Sequence, residues 1–211
     1  KMIIAANHYN ELRSRLQKIY EIRQNNPGVI DSSAIHAIVK TSMVIDRKVL
    51  AEQLDKIIEQ LESRTRSSAQ SKKRLVAAGG LCNMPDIYKT IEDCGARVVW
   101  DDFCTGSRYF DGNIDTSGDM IESIAKRYLD RIVCPAKHSG LYSRGEHILK
   151  IVKQSEAQGV IFLFLKFCDP HSFDYPYIKE MLDKEGIPSM LFEIEDQLPS
   201  EGQFKTRCEA F

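Results

Sequence analysis

Six cysteines are the residues of this chain best suited to chemistry: Cys82, Cys94, Cys104, Cys134, Cys168 and Cys208. A thiolate binds iron or zinc, or attacks as a nucleophile. No CxxC pair occurs, so neither a zinc ribbon nor a thioredoxin-type redox pair is indicated. The spacing fits no small disulfide framework, and a chain of 211 residues can build a core without one. A reducing, cytoplasmic compartment is the expectation. Cys168 holds the most informative position. The apolar run Gly159-Val160-Ile161-Phe162-Leu163-Phe164-Leu165 ends abruptly in Lys166-Phe167-Cys168-Asp169-Pro170. The run is rich in Val, Ile and Phe and reads as a strand buried on both faces of a parallel sheet. Cys168 falls at its end, with Pro170 stopping the sheet. Open α/β sheets carry their sites at the carboxyl ends of their strands. The competing reading is a buried structural cysteine, since free thiols are among the most buried side chains.

The elements that must position these thiols come in two parts. Over residues 3–24, Ile4, Leu12, Leu16, Ile19, Tyr20 and Ile22 recur at close to helical spacing, and Pro27-Gly28 ends the pattern. Asp31-Ser32-Ser33 can cap a second helix through about Ser42. Asp46 can cap a third, with Val49, Leu50, Leu54, Ile57, Ile58 and Leu61 on one face. Ser63 to Lys73 is polar and reads as a linker. From Arg74 the period changes. Strands are expected at Leu75–Ala78, Ala96–Trp100, 159–165 and Met190–Ile194. Helices are expected near Pro85–Cys94, Ser117–Arg131, Arg144–Gln158 and Tyr175–Glu185, with Cys208 on a last one. Alternating strands and helices imply a parallel sheet with right-handed crossovers. The division is therefore a helical segment, 1–73, and a C-terminal α/β domain, 74–211. Charge divides at the same place: residues 1–73 carry a net +5 and the remainder −6, which sum to the overall −1.

In such a sheet Cys82, Cys104 and Cys168 each follow a different strand and lie toward one edge, so Cys104 and Cys82 are the nearest companions for Cys168. Cys134 follows a helix and is expected away from that edge. Cys94, at a helix C-terminus, and Cys208 read as structural. Cys168 is expected to be a free thiol in a partly open pocket.

Other motifs are weaker. Gly79-Gly80-Leu81-Cys82-Asn83-Met84 is not GxGxxG, so support for a dinucleotide is slight; the turn could cradle a phosphate or be an ordinary tight turn. Asp101-Asp102-Phe103-Cys104-Thr105-Gly106-Ser107-Arg108 gathers two acids, a thiol, two hydroxyls and an Arg. Adjacent acids on a strand point to opposite faces and make no carboxylate dyad. Arg108 can pair with Asp102 or serve a ligand. The cations in Ala125-Lys126-Arg127 and in Lys205-Thr206-Arg207 read as solvated helix faces. Among the histidines, His171 is of most interest, three residues after Cys168. The small net charge argues against a nucleic-acid binder. No run reaches the roughly 18 apolar residues of a membrane span, and no signal peptide is evident. The chain begins inside a helical pattern and ends on Phe211, which reads as a piece of a longer protein.

Together these segments resemble the 2-hydroxyacyl-CoA dehydratase and benzoyl-CoA reductase family. The likeness runs through Tyr9-Asn10 with Arg13, Ile22-Arg23, Ile91 to Asp102, Cys104 to Tyr109, Ala125 to Leu129, Gly159-Val160-Ile161, Lys166-Phe167-Cys168-Asp169-Pro170, Gly186-Ile187-Pro188 and Gly202-Gln203 with Thr206-Arg207. It implies a four-stranded parallel Rossmann-like (flavodoxin-like) sheet with flanking helices, preceded by a helical segment, and an N-terminal domain that this sequence lacks. It implies a [4Fe-4S] cluster held by three cysteines, of which only Cys168 is carried over here and two come from the absent domain; Cys104 and Cys82 are weaker metal candidates. It further implies an acyl-CoA substrate, a second homologous subunit forming a heterodimer, and an ATP-dependent activator protein that delivers one electron. A ketyl radical on the thioester then expels the hydroxyl group. A benzoyl-CoA reductase-type subunit and a non-catalytic partner subunit are the alternatives.

Overall fold

The computed structural model describes residues 1–64, 72–81, 86–131, 134–137, 140–195 and 201–211. Three helices come first: α1 (Met2–Asn25), α2 (Ser32–Val44) and α3 (Arg47–Ser63). Their inward stripes meet in one apolar cluster built on Leu12, Leu16, Ile19, Ile35, Val39, Leu50 and Leu54. The Asp46 carboxylate accepts from the amides of Lys48 and Val49 and so caps α3.

The remainder alternates as expected, beginning with β1 (Lys73–Gly79), α4 (Asp86–Asp93), β2 (Ala96–Asp102), the short α5 (Ser107–Phe110) and α6 (Met120–Asp130). It continues with α7 (Ser143–Gln154), β3 (Gly159–Leu165), α8 (Asp169–Lys184), β4 (Ser189–Ile194) and α9 (Glu201–Ala210). The four strands form one parallel sheet in the order β2-β1-β3-β4. Both faces are covered, which is why β3 is buried from Gly159 to Phe164. On one face Leu75, Ala77, Ile161 and Leu163 pack with Ile87 and Ile91 of α4 and Phe204 of α9. On the other, Val76, Ala78, Val160 and Phe162 pack with Ile148 and Val152 of α7 and Ile178 and Leu182 of α8. Trp100 of β2 and Phe110 of α5 reach the helical cluster. Tyr20 donates from α1 to Asp101 of β2 at 2.6 Å. Among the described residues no helix is long and apolar enough to cross a membrane.

This strand order fixes where a site can form. From β1 the chain moves outward to β2, then returns across β1 to β3. The reversal leaves a crevice beyond the carboxyl ends of β1 and β3. Gly79 closes β1 there, and a Cβ at this position would stand 2.0 Å from the Leu163 carbonyl oxygen. At Gly80 an added Cβ would meet only ordinary contacts, the nearest being His171 Cε1 at 3.5 Å. Gly79→Ala is therefore expected to cost about 1–3 kcal/mol or more through overpacking, and Gly80→Ala much less. Urea midpoints at constant slope measure both. Equal values would mean that the close approach of β1 to β3 is not what Gly79 serves.

Candidate functional site

Cys168 lies at the crevice, one residue before α8. The helix begins at Asp169, six residues before the expected Tyr175. Pro170 thus does more than stop the sheet: it sits in the first helical turn, where the missing N–H costs nothing. The amides of His171 and Ser172 both donate to the Cys168 carbonyl at 3.2 Å. Cys168 is a half-buried free thiol. Its Sγ lies 3.2 Å from Nδ1 of His171. Burial, and then the guanidiniums of Arg108 and Arg144, push His171 down to about 4. The ring is neutral near pH 7 and carries a single N–H. With that proton on Nδ1 it donates to a thiolate; with Nδ1 bare it accepts from the thiol. A hydrogen bond between the His171 ring and the Gly79 backbone pulls its pKa the other way without outweighing burial and the guanidiniums.

Asp101 and Asp102 diverge as the strand alternation requires. Asp101 faces the helical layer, where it accepts from Tyr20 and from the Ser107 amide at 2.8 Å. Burial raises its pKa against the opposing pull of Arg23. Gly106 permits this packing, since a Cβ there would fall 1.8 Å from Asp101 Oδ1. Asp102 points the other way and is fully buried. Arg108 grips it with Nε at 2.9 Å and a terminal nitrogen at 2.8 Å, and Arg144 adds a contact at 2.7 Å. His147 Nε2 stands 3.4 Å away. Burial alone would raise this carboxyl; the two guanidiniums and His147 outweigh it and hold the group well below the ordinary carboxylate range. Arg108 also donates to the Gly79 carbonyl at 2.7 Å and reaches Cys104 Sγ at 3.6 Å. Two buried guanidiniums thus share the Asp102 carboxylate at the floor of the crevice.

The remaining thiols divide differently from expectation. The Cys104 amide donates to the Gly80 carbonyl at 3.1 Å, so its turn opens on the carboxyl edge. Cys82 lies outside the described residues. Cys134 was expected away from this edge, but it lines the same cavity of about 270 Å³ as Cys104 and Arg108. The reason is α6, which buries only Met120 and does not cross the sheet. Cys94 and Cys208 lie where α4 meets α9, and burial followed by the neighbouring Cys94 pushes the Cys208 thiol up to about 12. Among the described residues no three His, Cys, Asp or Glu side chains converge as a metal site.

The cationic motifs also separate. Lys126 and Lys205 are exposed, as a solvated face requires. Arg127 is half-buried and donates to the carbonyls of Gly112 and Asp111 at 2.8 and 2.6 Å. Arg207 lies over the Phe192 ring at 4.3 Å. Arg144 and His147 were not recognised as partners of Asp102. The usable signal was their place on the inward stripe of α7, in phase with Ile148 and Ile151.

Phe167 leads into Cys168 with a left-handed backbone (φ 63°) while its side chain is 93% exposed. Such strain in an L-residue costs about 1–2 kcal/mol, and no burial offsets it. Phe173 and Leu81 are likewise exposed nearby in sequence to the crevice elements. Phe167→Asn, which tolerates this conformation, is expected to gain about 1 kcal/mol and raise the melting temperature by about 2–4 °C. A lower melting temperature in circular dichroism would show that the aromatic ring stabilises the turn.

Comparison with known proteins accords with this geometry. The family model described as 2-hydroxyglutaryl-CoA dehydratase, D-component, matches residues 1–211. The beta subunit of (R)-phenyllactyl-CoA dehydratase from Clostridium sporogenes is 25% identical over 203 residues, covering 96% of this chain and 54% of that protein. The beta subunit of (R)-2-hydroxyglutaryl-CoA dehydratase from Acidaminococcus fermentans is 25% identical over 209 residues, with the same coverage. A benzoyl-CoA reductase subunit from Thauera aromatica is 25% identical over 190 residues, covering 87% of this chain and 48% of that protein. The chain spans about half the length of the curated relatives it matches. With the family matched along its whole length, the chain belongs to the 2-hydroxyglutaryl-CoA dehydratase, D-component family.

Proposed function

We propose that this chain is part of an iron–sulfur subunit that eliminates water from a 2-hydroxyacyl-CoA thioester, with Cys168 as one thiolate ligand of a [4Fe-4S] cluster. The observation that carries the reading is the position of Cys168, a free thiol at the switch point of a parallel sheet, beside a histidine and the crevice where two buried guanidiniums hold Asp102. Thiolate ligands, partial burial and nearby donors are what such a cluster needs. The other cysteine ligands come from outside this chain. When bound, the cluster supplies a one-electron donor of low potential. The chain's own residues hold and tune that position. Cys168 binds, and His171 Nδ1, 3.2 Å away, can donate to its sulfur. Asp102 keeps both guanidiniums in place.

An ATP-dependent activator delivers the electron, and the assembly is completed by a second, homologous subunit. A benzoyl-CoA reductase-type role is the second reading, favoured by the likeness to the Thauera protein. The test is anaerobic preparation of the full-length protein with its partner subunit and activator. Iron, sulfide and electron paramagnetic resonance are read first. Turnover of 2-hydroxyacyl-CoA and benzoyl-CoA thioesters follows. About four irons per subunit with dehydration of a 2-hydroxyacyl-CoA supports the proposal. Ring reduction supports the second reading. A subunit without iron would be a non-catalytic partner.

A further inference from the structure

The cavity beside Cys104 and Cys134 has a feature that cluster ligation does not use. Arg13 of α1, Arg127 of α6 and Arg131, just past α6, all line it. Arg13 lies more than a hundred positions from the other two in the chain, and Arg13 and Arg127 belong to segments that carry the family resemblance. None of the three forms an ion pair with a described carboxylate. Each is instead oriented by neutral groups. Arg13 donates to Asn10 Oδ1 at 2.9 Å and lies over the Tyr9 ring at 5.5 Å. Arg127 is fixed by the carbonyls of Gly112 and Asp111, and Arg131 donates to the Arg108 carbonyl at 3.0 Å. Asn10 in turn clamps the 111–118 loop to α1, donating to the Ile114 carbonyl at 2.7 Å and accepting from its amide at 2.9 Å.

The electrostatics accord with a site suited to an anion. Burial, then Arg13 and Arg131, lower Arg127 to about 10. Burial and Arg131 also lower Arg13, and no carboxylate opposes them. Five acidic groups, Asp111, Asp115, Asp119, Glu122 and Asp130, line a neighbouring depression that Arg127 and Arg131 also border. Of these only Asp111 acts appreciably on Arg127, and it is the smallest of the influences named. Gathering like charges in a partly buried cavity is unfavourable unless an anion completes it.

We infer that the cavity lined by Arg13, Arg127 and Arg131 is a binding subsite for a phosphoryl group. One guanidinium fork satisfies a carboxylate. Three guanidiniums lining one cavity, each with donors left over from its own anchoring bonds, match the greater charge and the larger number of acceptor oxygens of a phosphate or diphosphate. The phosphates of a CoA thioester and a free nucleotide or pyrophosphate share this chemistry. The CoA source rests on the acyl-CoA reading above, whereas the phosphoryl chemistry rests on the arginines alone.

Calorimetric titration of the full-length protein with CoA, pantetheine, ADP and pyrophosphate tests the inference. CoA should bind about tenfold or more tightly than pantetheine, which has no phosphate. Arg13→Gln and Arg127→Gln should each weaken CoA about tenfold, the usual worth of a charge-assisted hydrogen bond, and should reduce the salt dependence of binding. Lys56→Gln, an exposed charge elsewhere, should leave it unchanged. Should either Gln variant misfold by circular dichroism, Arg13→Lys and Arg127→Lys keep the charge, lose the fork and should still weaken binding. Equal binding of ADP or pyrophosphate with the same arginine dependence would uphold the subsite and assign it to a free phosphate. Pantetheine binding as tightly as CoA, or folded arginine variants binding as the parent does, would overturn the subsite and leave the acyl-CoA reading standing. Absence of binding by every phosphate compound would overturn it as well.

Discussion

If Cys168 ligates a cluster as proposed, replacing it by serine in the full-length protein is expected to bring the iron content close to background and to abolish turnover. A neutral hydroxyl is a far poorer ligand for iron than a thiolate. The substitution is nearly isosteric, and the backbone that seats the residue does not depend on sulfur: the Cys168 amide donates to the Leu165 carbonyl at 3.2 Å, and its own carbonyl holds the first turn of α8. Cys208→Ser supplies the control. That thiol lies at the α4–α9 contact, with its pKa raised by burial and far from ionising at neutral pH. Its replacement should leave iron content unchanged and cost only a little stability. Iron and sulfide analysis of the two variants side by side makes the comparison. Iron retained in Cys168→Ser, or equal loss in both, would remove Cys168 from the ligand set and point to general packing.

The second large effect falls on Asp102. Asp102→Asn keeps the volume and deletes the charge, leaving Arg108 and Arg144 buried against a neutral amide. Removing one partner of a buried ion pair costs about 3–5 kcal/mol, a large share of the roughly 5–15 kcal/mol that holds a domain together. A fall in the urea midpoint measures it. Asp102→Leu combined with Arg144→Met should recover part of the loss, because fewer buried charges then lack a partner. The same carboxylate predicts acid lability. Its folded pKa is depressed, so its contribution is fully present above the unfolded value near about 4 and is lost as pH falls from there toward the folded pKa. Asp102→Asn should lack that segment of the stability–pH curve. An unchanged acid limb in the variant would mean that other carboxylates govern it.

Much of the fold was legible in the chain because it is written locally. Hydrophobic periodicity distinguished the helices of residues 1–64 from the strands after Lys73. The unbroken apolar run 159–165 announced a strand covered on both faces, and alternation of strands and helices implied a parallel sheet. From that alone, Cys104 and Cys168 could be assigned to one edge and Asp101 and Asp102 to opposite faces. The start of α8 was less legible, since Asp169-Pro170 reads equally as a strand terminator and as a helical first turn.

What only the tertiary structure decided concerns groups brought together from distant segments. That Arg144 and His147 of α7 join Arg108 on Asp102 depends on which face of the sheet α7 covers. That Cys134 stands with Cys104 depends on α6 remaining outside the sheet. That Arg13 and Arg127 meet depends on α1 packing against the end of β2. Local propensity and periodicity act over one or two turns of chain. Charges and thiols select partners across a three-dimensional surface. The sequence therefore determined which elements form and which edge carries the chemistry. Long-range packing, through the strand order β2-β1-β3-β4 and the helices covering it, decided which side chains face one another there.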